Sequence, residues 1–439
     1  MTAKGQTGYD VLVVGAGVIG SSVAYELAKT GRSVLCVDAA TGPGQGSTSA
    51  SSAVIRFHYS TMPSIATSWE AKHCWEKWED HLGGGDEAGL ARFVRSGVVV
   101  LEDEVINTAR ILALYDEVGI TYELWDAATL AERVPGITTR YYSPPQSIHD
   151  PAFWDESTRD LSAFYNPDGG FIDDPSLAAR NLATAAARHG AAFRFKTKVT
   201  GVLREGNVVR GVTLDDGSEV HADIVVNVAG PWSSQLNALA GVLDDFTVTT
   251  RAMRQEVHHL PGPAGFNANG MPGPVLTDLG IGTYTRGTSG DGYLVGGTEP
   301  ACDPYQWLDT PENANPNPTR ELWEAQTTRA AKRLPTLTIP NAVSGVAGVY
   351  DVTEDWTPIY DKTSLDGYYV AIGTSGNQFK NAPVSGRFIT ALIEATAAGQ
   401  DHDDDPVQFV GEHTGLTIDL AAFSRKRERN LDSSNTVMG

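Results

Sequence analysis

The sequence predicts an α/β protein, α+β overall, with one domain of parallel strands and helices joined to a second built on an antiparallel sheet. Two observations predict this. From Tyr9 to Asp38 an apolar run, a glycine motif, a helical pattern and a second apolar run follow one another, which is the order of a βαβ unit. From residue 245 to 300 short β-rich runs alternate with Gly/Pro turns, as in an antiparallel sheet.

Taken in order, YDVLVV (Tyr9 to Val14) reads as a buried strand and GAGVIG (Gly15 to Gly20) as a turn. Val23, Ala24, Leu27 and Ala28 recur at helical spacing, Gly31 stops the helix, and Ser33 to Val37 begins a strand ending in Asp38. Thr41 to Ser52 is a Gly/Ser/Thr loop, followed by VIRFHYS, Val54 to Ser60. Helical patterns are expected over Pro63–Leu82, Ile111–Val118, Ala127–Val134, Pro175–Gly190, Glu321–Leu334 and Val384–Ala398. Trp69, Trp75 and Trp78 in the first of these read as core. Separate strands are expected at Phe193–Thr200, Val202–Arg204, Val208–Leu214, Glu219–Ala222, Ile224–Gly230 and Tyr368–Ile372.

A chain of 439 residues exceeds one ordinary core. The pattern divides it into a discontinuous first domain (1–95, 163–235, 352–400), a second (96–162, 236–351), and a loosely held tail, 401–439. The net charge of −21 disfavours nucleic acid and anionic membrane as partners. Three separated cysteines, Cys36, Cys74 and Cys302, form neither a disulfide framework nor a metal site, and Cys36 is expected in the core. The polar start, Met1 to Tyr9, lacks the apolar segment of a secretory signal, so a cytoplasmic location is expected. Oligomeric state is left open.

The GxGxxG motif follows a strand, opens a helix, and precedes a second strand that ends in an acid. That combination reads as a Rossmann-type dinucleotide site. Gly15 permits the tight turn, Gly17 lets backbone approach a pyrophosphate, and Gly20 lets helix and strand pack closely. The helix N-terminus favours the phosphate charge, and Asp38 can accept hydrogen bonds from ribose hydroxyls. The early position of the motif and the long Ser/Gly loop favour FAD over NAD.

Four segments resemble the D-amino acid oxidase superfamily, in the branch of sarcosine, glycine and dimethylglycine oxidases. They are DVLVVGAGVIGSSVAYELAKTGRSVLCVD, GSTSASSAVIRFHYS, ADIVVNVAGPWSSQL, and GVYDVTEDWTPIYD followed by YYVAIGTSGNQFKNAP. The resemblance spans roughly residues 9 to 398. It implies a Rossmann-type FAD-binding domain, an antiparallel-sheet substrate domain, and oxidation of a C–N bond by hydride transfer to flavin N5. The resulting imine is then hydrolysed.

Residue by residue, the resemblance assigns the ADP moiety to Gly15, Gly17, Gly20 and Asp38, with Val18, Ile19 and Ala39 beside them. Gly46, Ser47, Thr48 and Ser49 form the loop near flavin and pyrophosphate. Val199 offers a backbone contact to the adenine, and Gly230 and Trp232 lie at a strand end near the cofactor. Gly373, Gly376, Asn377, Gln378, Phe379 and Lys380 form the loop at the pyrimidine end of the flavin. Arg56 and Lys380 match the cationic pair that binds the substrate carboxylate, and Tyr350 a tyrosine lining that pocket. The residue chemistry agrees, because a planar guanidinium suits a carboxylate and a lysine stabilises an electron-rich ring. If VIRFHYS is a strand, His58 shares a face with Arg56 and can tune the amine or the flavin. A structural histidine is the alternative.

Three departures shape the expected function. Gly348 stands where sarcosine oxidases attach FAD through cysteine, so the FAD is expected to be noncovalent. Leu294 stands where those oxidases carry a lysine used with oxygen, so oxygen or another electron acceptor is expected. Thr298 lies near the position of their substrate histidine, and Asn377-Gln378 replaces a frequent His-Gly. The expected substrate is a small secondary or N-alkylated amino acid. The alternatives are another amine or hydroxy substrate, or a flavin-binding subunit of a multi-subunit enzyme.

Overall fold

The computed structural model describes residues 8–268 and 270–439; residues 1–7 of the polar start, and Asn269, lie outside the described residues. The first sheet has eight strands. At its centre β1 (Gly8–Val14) pairs in parallel with β2 (Val34–Val37) on one side and with Glu219–Asn227 on the other. Ala192–Arg194 extends the sheet beyond β2, and Tyr368–Ile372 runs parallel to the end of Glu219–Asn227. The crossover from β1 to β2 is helix α1 (Val18–Lys29), buried along nearly its whole length.

Helix α1 is covered in turn by Pro175–Arg188 and Ala382–Ala397. Their small residues let backbones approach: a Cβ on Gly386 would lie 2.5 Å from the Ser22 carbonyl oxygen. One face of the sheet packs Val11, Val13 and Cys36 against these helices, while Leu12, Leu35 and Val225 face a separate cluster with Leu236 and Val212. This alternation follows the two-residue period of a strand.

The second sheet has nine strands. Its long strand Thr250–Pro261 pairs antiparallel with Gly345–Thr353 over nine registered positions and with Gly292–Gly297. Only Val98–Leu101 against Val275–Asp278 is parallel. Strand Ala163–Asn166, which a boundary at residue 163 would assign to the first domain, pairs within this second sheet.

Other expectations are corrected. Val199–Glu205 is one strand and Glu219–Asn227 another. Gly201 lies at a register irregularity instead of ending the strand, and the exposed Asp223 points outward without breaking its strand. VIRFHYS is strand only at Val54–Ile55, so the shared strand face of Arg56 and His58 does not form. Trp75 and Trp78 are core and stack at 4.2 Å, and Cys36 is fully buried. No helix among the described residues is long and apolar enough to cross a membrane.

The 401–439 segment is packed, contrary to the expected loose tail. Gln408–Val410 pairs with Thr417–Asp419, and Leu420, Phe423, Val437 and Met438 are buried. Its basic run meets acids that are remote in sequence. Arg425, 1% exposed, contacts Asp245, Asp361 and Asp403 at 2.6, 3.0 and 2.7 Å, and Arg427 contacts Asp355 at 2.8 Å. Removing one member of such a network leaves buried charges uncompensated. Arg425→Ala is therefore expected to lower unfolding free energy by about 3–5 kcal/mol, read from urea denaturation.

Candidate active site

A cavity of about 910 Å³ is lined by residues from the β1–α1 turn to the second sheet. Ligand pockets commonly span about 300–1,000 Å³, so its size suits a large cofactor with a small substrate.

The turn is shaped by close approaches. Gly15 has φ +111°, and a Cβ there would lie 2.3 Å from the Val228 carbonyl oxygen; a Cβ on Gly20 would lie 1.9 Å from the Gly15 carbonyl oxygen. A Cβ on Gly17 would meet only Thr48 Oγ1, at 3.2 Å, so this glycine keeps the floor of the cavity low. Thr48 Oγ1 accepts the Val18 N–H at 3.0 Å, pinning the 46–49 loop to the helix start. The first turn of α1 has no acidic side chain, which leaves its positive end suited to phosphate.

Asp38 lines the cavity. Its Oδ2 accepts from Ala16 N–H at 2.6 Å and its Oδ1 from Ala40 N–H at 2.7 Å. A carboxylate has about four acceptor positions, so each oxygen can still take a ligand hydroxyl. Val18, Ile19, Ala39, Gly46, Ser47, Val199, Gly230 and Trp232 also line this half. The Thr197 N–H donates to the Asp38 carbonyl, placing the Val199 region beside the acid. Trp232 Nε1 donates to Glu312 at 2.8 Å. Ser49 does not line the cavity; its hydroxyl caps the Gly46 carbonyl at 2.8 Å.

At the other end, Gly348, Tyr350, Gly376, Asn377, Gln378, Phe379 and Lys380 line the wall. Ser47 Oγ donates to the Val349 carbonyl at 2.6 Å, tying the two halves together. Gly373 stays outside the lining and turns the chain at φ +67°, its N–H donating to Asp351 Oδ2 at 2.6 Å. Gly376 has φ +70°, and a Cβ there would lie 2.3 Å from the Tyr350 ring. Tyr350 is thus seated by a glycine. Gln378 accepts from Asn381 at 2.7 Å and from the Tyr360 hydroxyl at 3.3 Å, and Asn377 Nδ2 donates to the Trp356 carbonyl at 3.2 Å. The Asn377-Gln378 pair therefore braces its own loop.

Arg56 and Lys380, far apart in sequence, meet around Tyr59. The Arg56 guanidinium lies 4.7 Å from the Tyr59 ring centroid, and Lys380 Nζ donates to the Tyr59 hydroxyl at 2.8 Å and to the Asn377 carbonyl at 2.5 Å. Arg56 donates to the carbonyls of His58 and Val437 at 2.7 and 2.6 Å. Neither cation has a carboxylate partner among the described residues. Burial, with the Arg56 charge added, holds the Lys380 amine well below the usual lysine range.

His58 does not line the cavity. Its ring packs edge-on against Phe164 and its Nε2 has no partner. Burial and the two cations push its pKa well down, so the imidazole is neutral and only its carbonyl reaches the site. Leu294 and Thr298 are likewise buried off the cavity.

Sequence reasoning missed Tyr59, Gln255, Thr277, Tyr284, Val437 and Met438. Tyr59 alone carried a local signal, next to His58. The others come from strands or a distant segment that only the fold brings here.

The glycine turn, the helix start free of acids and the acceptors of Asp38 fit an FAD adenosine diphosphate. A chain-wide comparison agrees. A sarcosine oxidase subunit beta of Rhodobacter capsulatus is 25% identical over 397 residues, covering 88% of this chain and 84% of that one. A mitochondrial dimethylglycine dehydrogenase of Mus musculus is 24% identical over 88% of this chain, which spans only 42% of the relative. The crystal structure of glycine oxidase from Geobacillus kaustophilus superposes with a TM-score of 0.72 at 20% identity, covering 97% of this chain and 100% of that one. The family model described as FAD dependent oxidoreductase (DAO) matches residues 10–392, and the chain belongs to that family of FAD-using enzymes.

Proposed function

We propose that the protein oxidises a C–N bond of a small secondary or N-alkylated amino acid. The observation that carries this reading is the pair of buried cations, Arg56 and Lys380, without a carboxylate partner among the described residues. Buried charges of one sign are costly unless paired, and a ligand carboxylate in the adjoining cavity supplies the missing charge. The names of the relatives, which concern sarcosine, dimethylglycine and glycine, support amino-acid amines as the class.

Bound FAD, held by the Gly15–Gly20 turn and Asp38, would supply the two-electron oxidation of the C–N bond to an imine that water then hydrolyses. The chain's residues do the positioning. The cation pair fixes the carboxylate, and Tyr350, Tyr284, Gln255 and Thr277 line the remaining space. The Tyr284 hydroxyl is engaged with Ser52 Oγ at 2.8 Å, and burial pushes its pKa up to about 12. It stays neutral at working pH and is no general base. Gly348 offers no nucleophile, so FAD is held noncovalently in this reading.

Hydride transfer needs a neutral amine, so kcat rises with pH until the bound amine has lost its proton. Carboxylate affinity moves oppositely. Lys380, its pKa depressed, binds an anion best when protonated and releases that proton as pH rises. A kcat/KM profile across neutral and alkaline pH is therefore expected to be bell-shaped. A falling limb that persists unchanged in Lys380→Met would remove Lys380 from substrate binding.

An anaerobic screen of N-methyl amino acids tests the assignment. Loss of the flavin band is expected with at least one of them, and recovery in air reads whether oxygen serves as acceptor. A flavin untouched by every amino acid and amine in a broad panel overturns the reading.

A further inference from the structure

The segment around Val437 reaches the cation end of the cavity, where Val437 and Met438 form part of its wall. The Val437 peptide unit is gripped at both ends. Its N–H donates to Glu299 Oε2 at 2.8 Å, and its carbonyl accepts from Arg56 Nη2 at 2.6 Å. The gripped atoms, N–Cα–C=O, are the skeleton of every α-amino acid. A ligand with its carboxylate on Arg56 would set its amine nitrogen where the Val437 nitrogen stands. That nitrogen carries the Thr436 carbonyl carbon as a substituent, so the position admits an N-substituted amine.

Glu299 is built for such a role. It is buried, its Oε1 has no partner, and its backbone sits at φ +50°, a strained value for a non-glycine residue. The groups facing it are the phenols of Tyr284, Tyr305 and Tyr350, and no cation pairs with it among the described residues. Burial pushes its pKa up to about 8. A carboxyl so isolated gains a partner when an amine arrives.

We propose that Arg56 and Glu299 form a two-ended anchor for an N-substituted α-amino acid, and that the Val437 unit occupies this anchor as a built-in competitor. The proposal rests on the carboxylate-bearing amine reading above and adds the residue that takes the amine.

The experiment uses the full chain loaded with FAD, titrated anaerobically with sarcosine and separately with acetate, a carboxylate without an amine. Binding is read by rapid mixing from the oxidised flavin spectrum, ahead of any bleaching, in the unaltered protein, in Glu299→Leu and in Val437→Pro. The proline variant removes the N–H that Glu299 accepts, together with the valine side chain and some backbone freedom. FAD content and melting temperature confirm that each variant is folded. The ratio of acetate to sarcosine dissociation constants cancels any effect of freeing the segment, and is expected to fall about tenfold in Glu299→Leu. In Val437→Pro the ratio is expected to hold while both ligands bind several-fold more tightly.

An unchanged ratio in Glu299→Leu overturns the amine anchor. Unchanged affinities in Val437→Pro overturn the competitor. If neither ligand perturbs the flavin in any of the three proteins, the carboxylate-amine reading itself fails and takes the anchor with it. Acetate binding with an unchanged ratio sinks the anchor alone.

Discussion

Arg56→Ala is expected to raise the KM for a carboxylate-bearing amine by about two orders of magnitude, equivalent to about 3 kcal/mol. The guanidinium is 4% exposed and can present a fork to the carboxylate. Its removal leaves the carboxylate to Lys380, and this lysine is already biased towards its neutral form. Arg56→Lys should recover only part of the loss, because a lysine offers a point charge and lacks the planar pair of donors. Because Arg56 also holds the Val437 carbonyl, part of the lost affinity will be offset by release of that segment. Steady-state kinetics of FAD-replete protein separate these effects, since kcat should fall less than kcat/KM. Equal KM values for the Ala variant and the unaltered enzyme would place the substrate carboxylate elsewhere.

The second large effect concerns the glycine turn, and two of its positions should behave differently. At Gly20 an added Cβ would meet the Gly15 carbonyl oxygen at 1.9 Å, and both partners are backbone. Neither can yield without moving β1 or α1, so Gly20→Ala is expected to lower stability by more than about 3 kcal/mol and to yield protein without flavin. At Gly17 the added Cβ meets one side-chain hydroxyl at 3.2 Å, which can adjust. Gly17→Ala should therefore melt close to the unaltered protein yet bind FAD about tenfold or more weakly, because the methyl stands where the pyrophosphate must approach. Melting curves with FAD and flavin absorbance of the purified variants check both. Full FAD content in Gly17→Ala would contradict a pyrophosphate lying across this turn.

The opening βαβ unit was legible because its signals are local. Strand, turn, helix and acid follow within one short stretch, and Gly15, Gly17, Gly20 and Asp38 line the cavity at the β1–α1 turn and the end of β2. The antiparallel character of residues 250–297 was likewise legible from turn spacing. What stayed hidden is non-local. The bridge from Ser47 to the Val349 carbonyl, the Tyr59 ring between Arg56 and Lys380, and the Arg425 network all join residues whose neighbours carry no trace of the partner. The 401–439 segment read as a loose tail because the acids that hold its basic run lie far from it in sequence. His58 shows the converse. Its position beside Arg56 suggested a shared face, but the strand ends at Ile55 and the ring turns to Phe164.

Nothing in the local sequence marked Glu299. It follows a buried threonine, and only the folded return of residues 434–439 gives it a partner. The same holds for Asn377 and Gln378. Their side chains serve the loop that carries Lys380, through Trp356, Tyr360 and Asn381. Substitution there should therefore act on the placement of the lysine before it acts on the flavin.

The proposed oxidation requires a ligand carboxylate to meet the buried Arg56 and Lys380. Anaerobic mixing of the FAD-loaded protein with sarcosine and, in parallel, with dimethylamine, the same amine without its carboxylate, tests this directly. Faster bleaching of the flavin and tighter binding by sarcosine are the expected result, with the difference abolished in Arg56→Ala. Equal responses to both amines would contradict it.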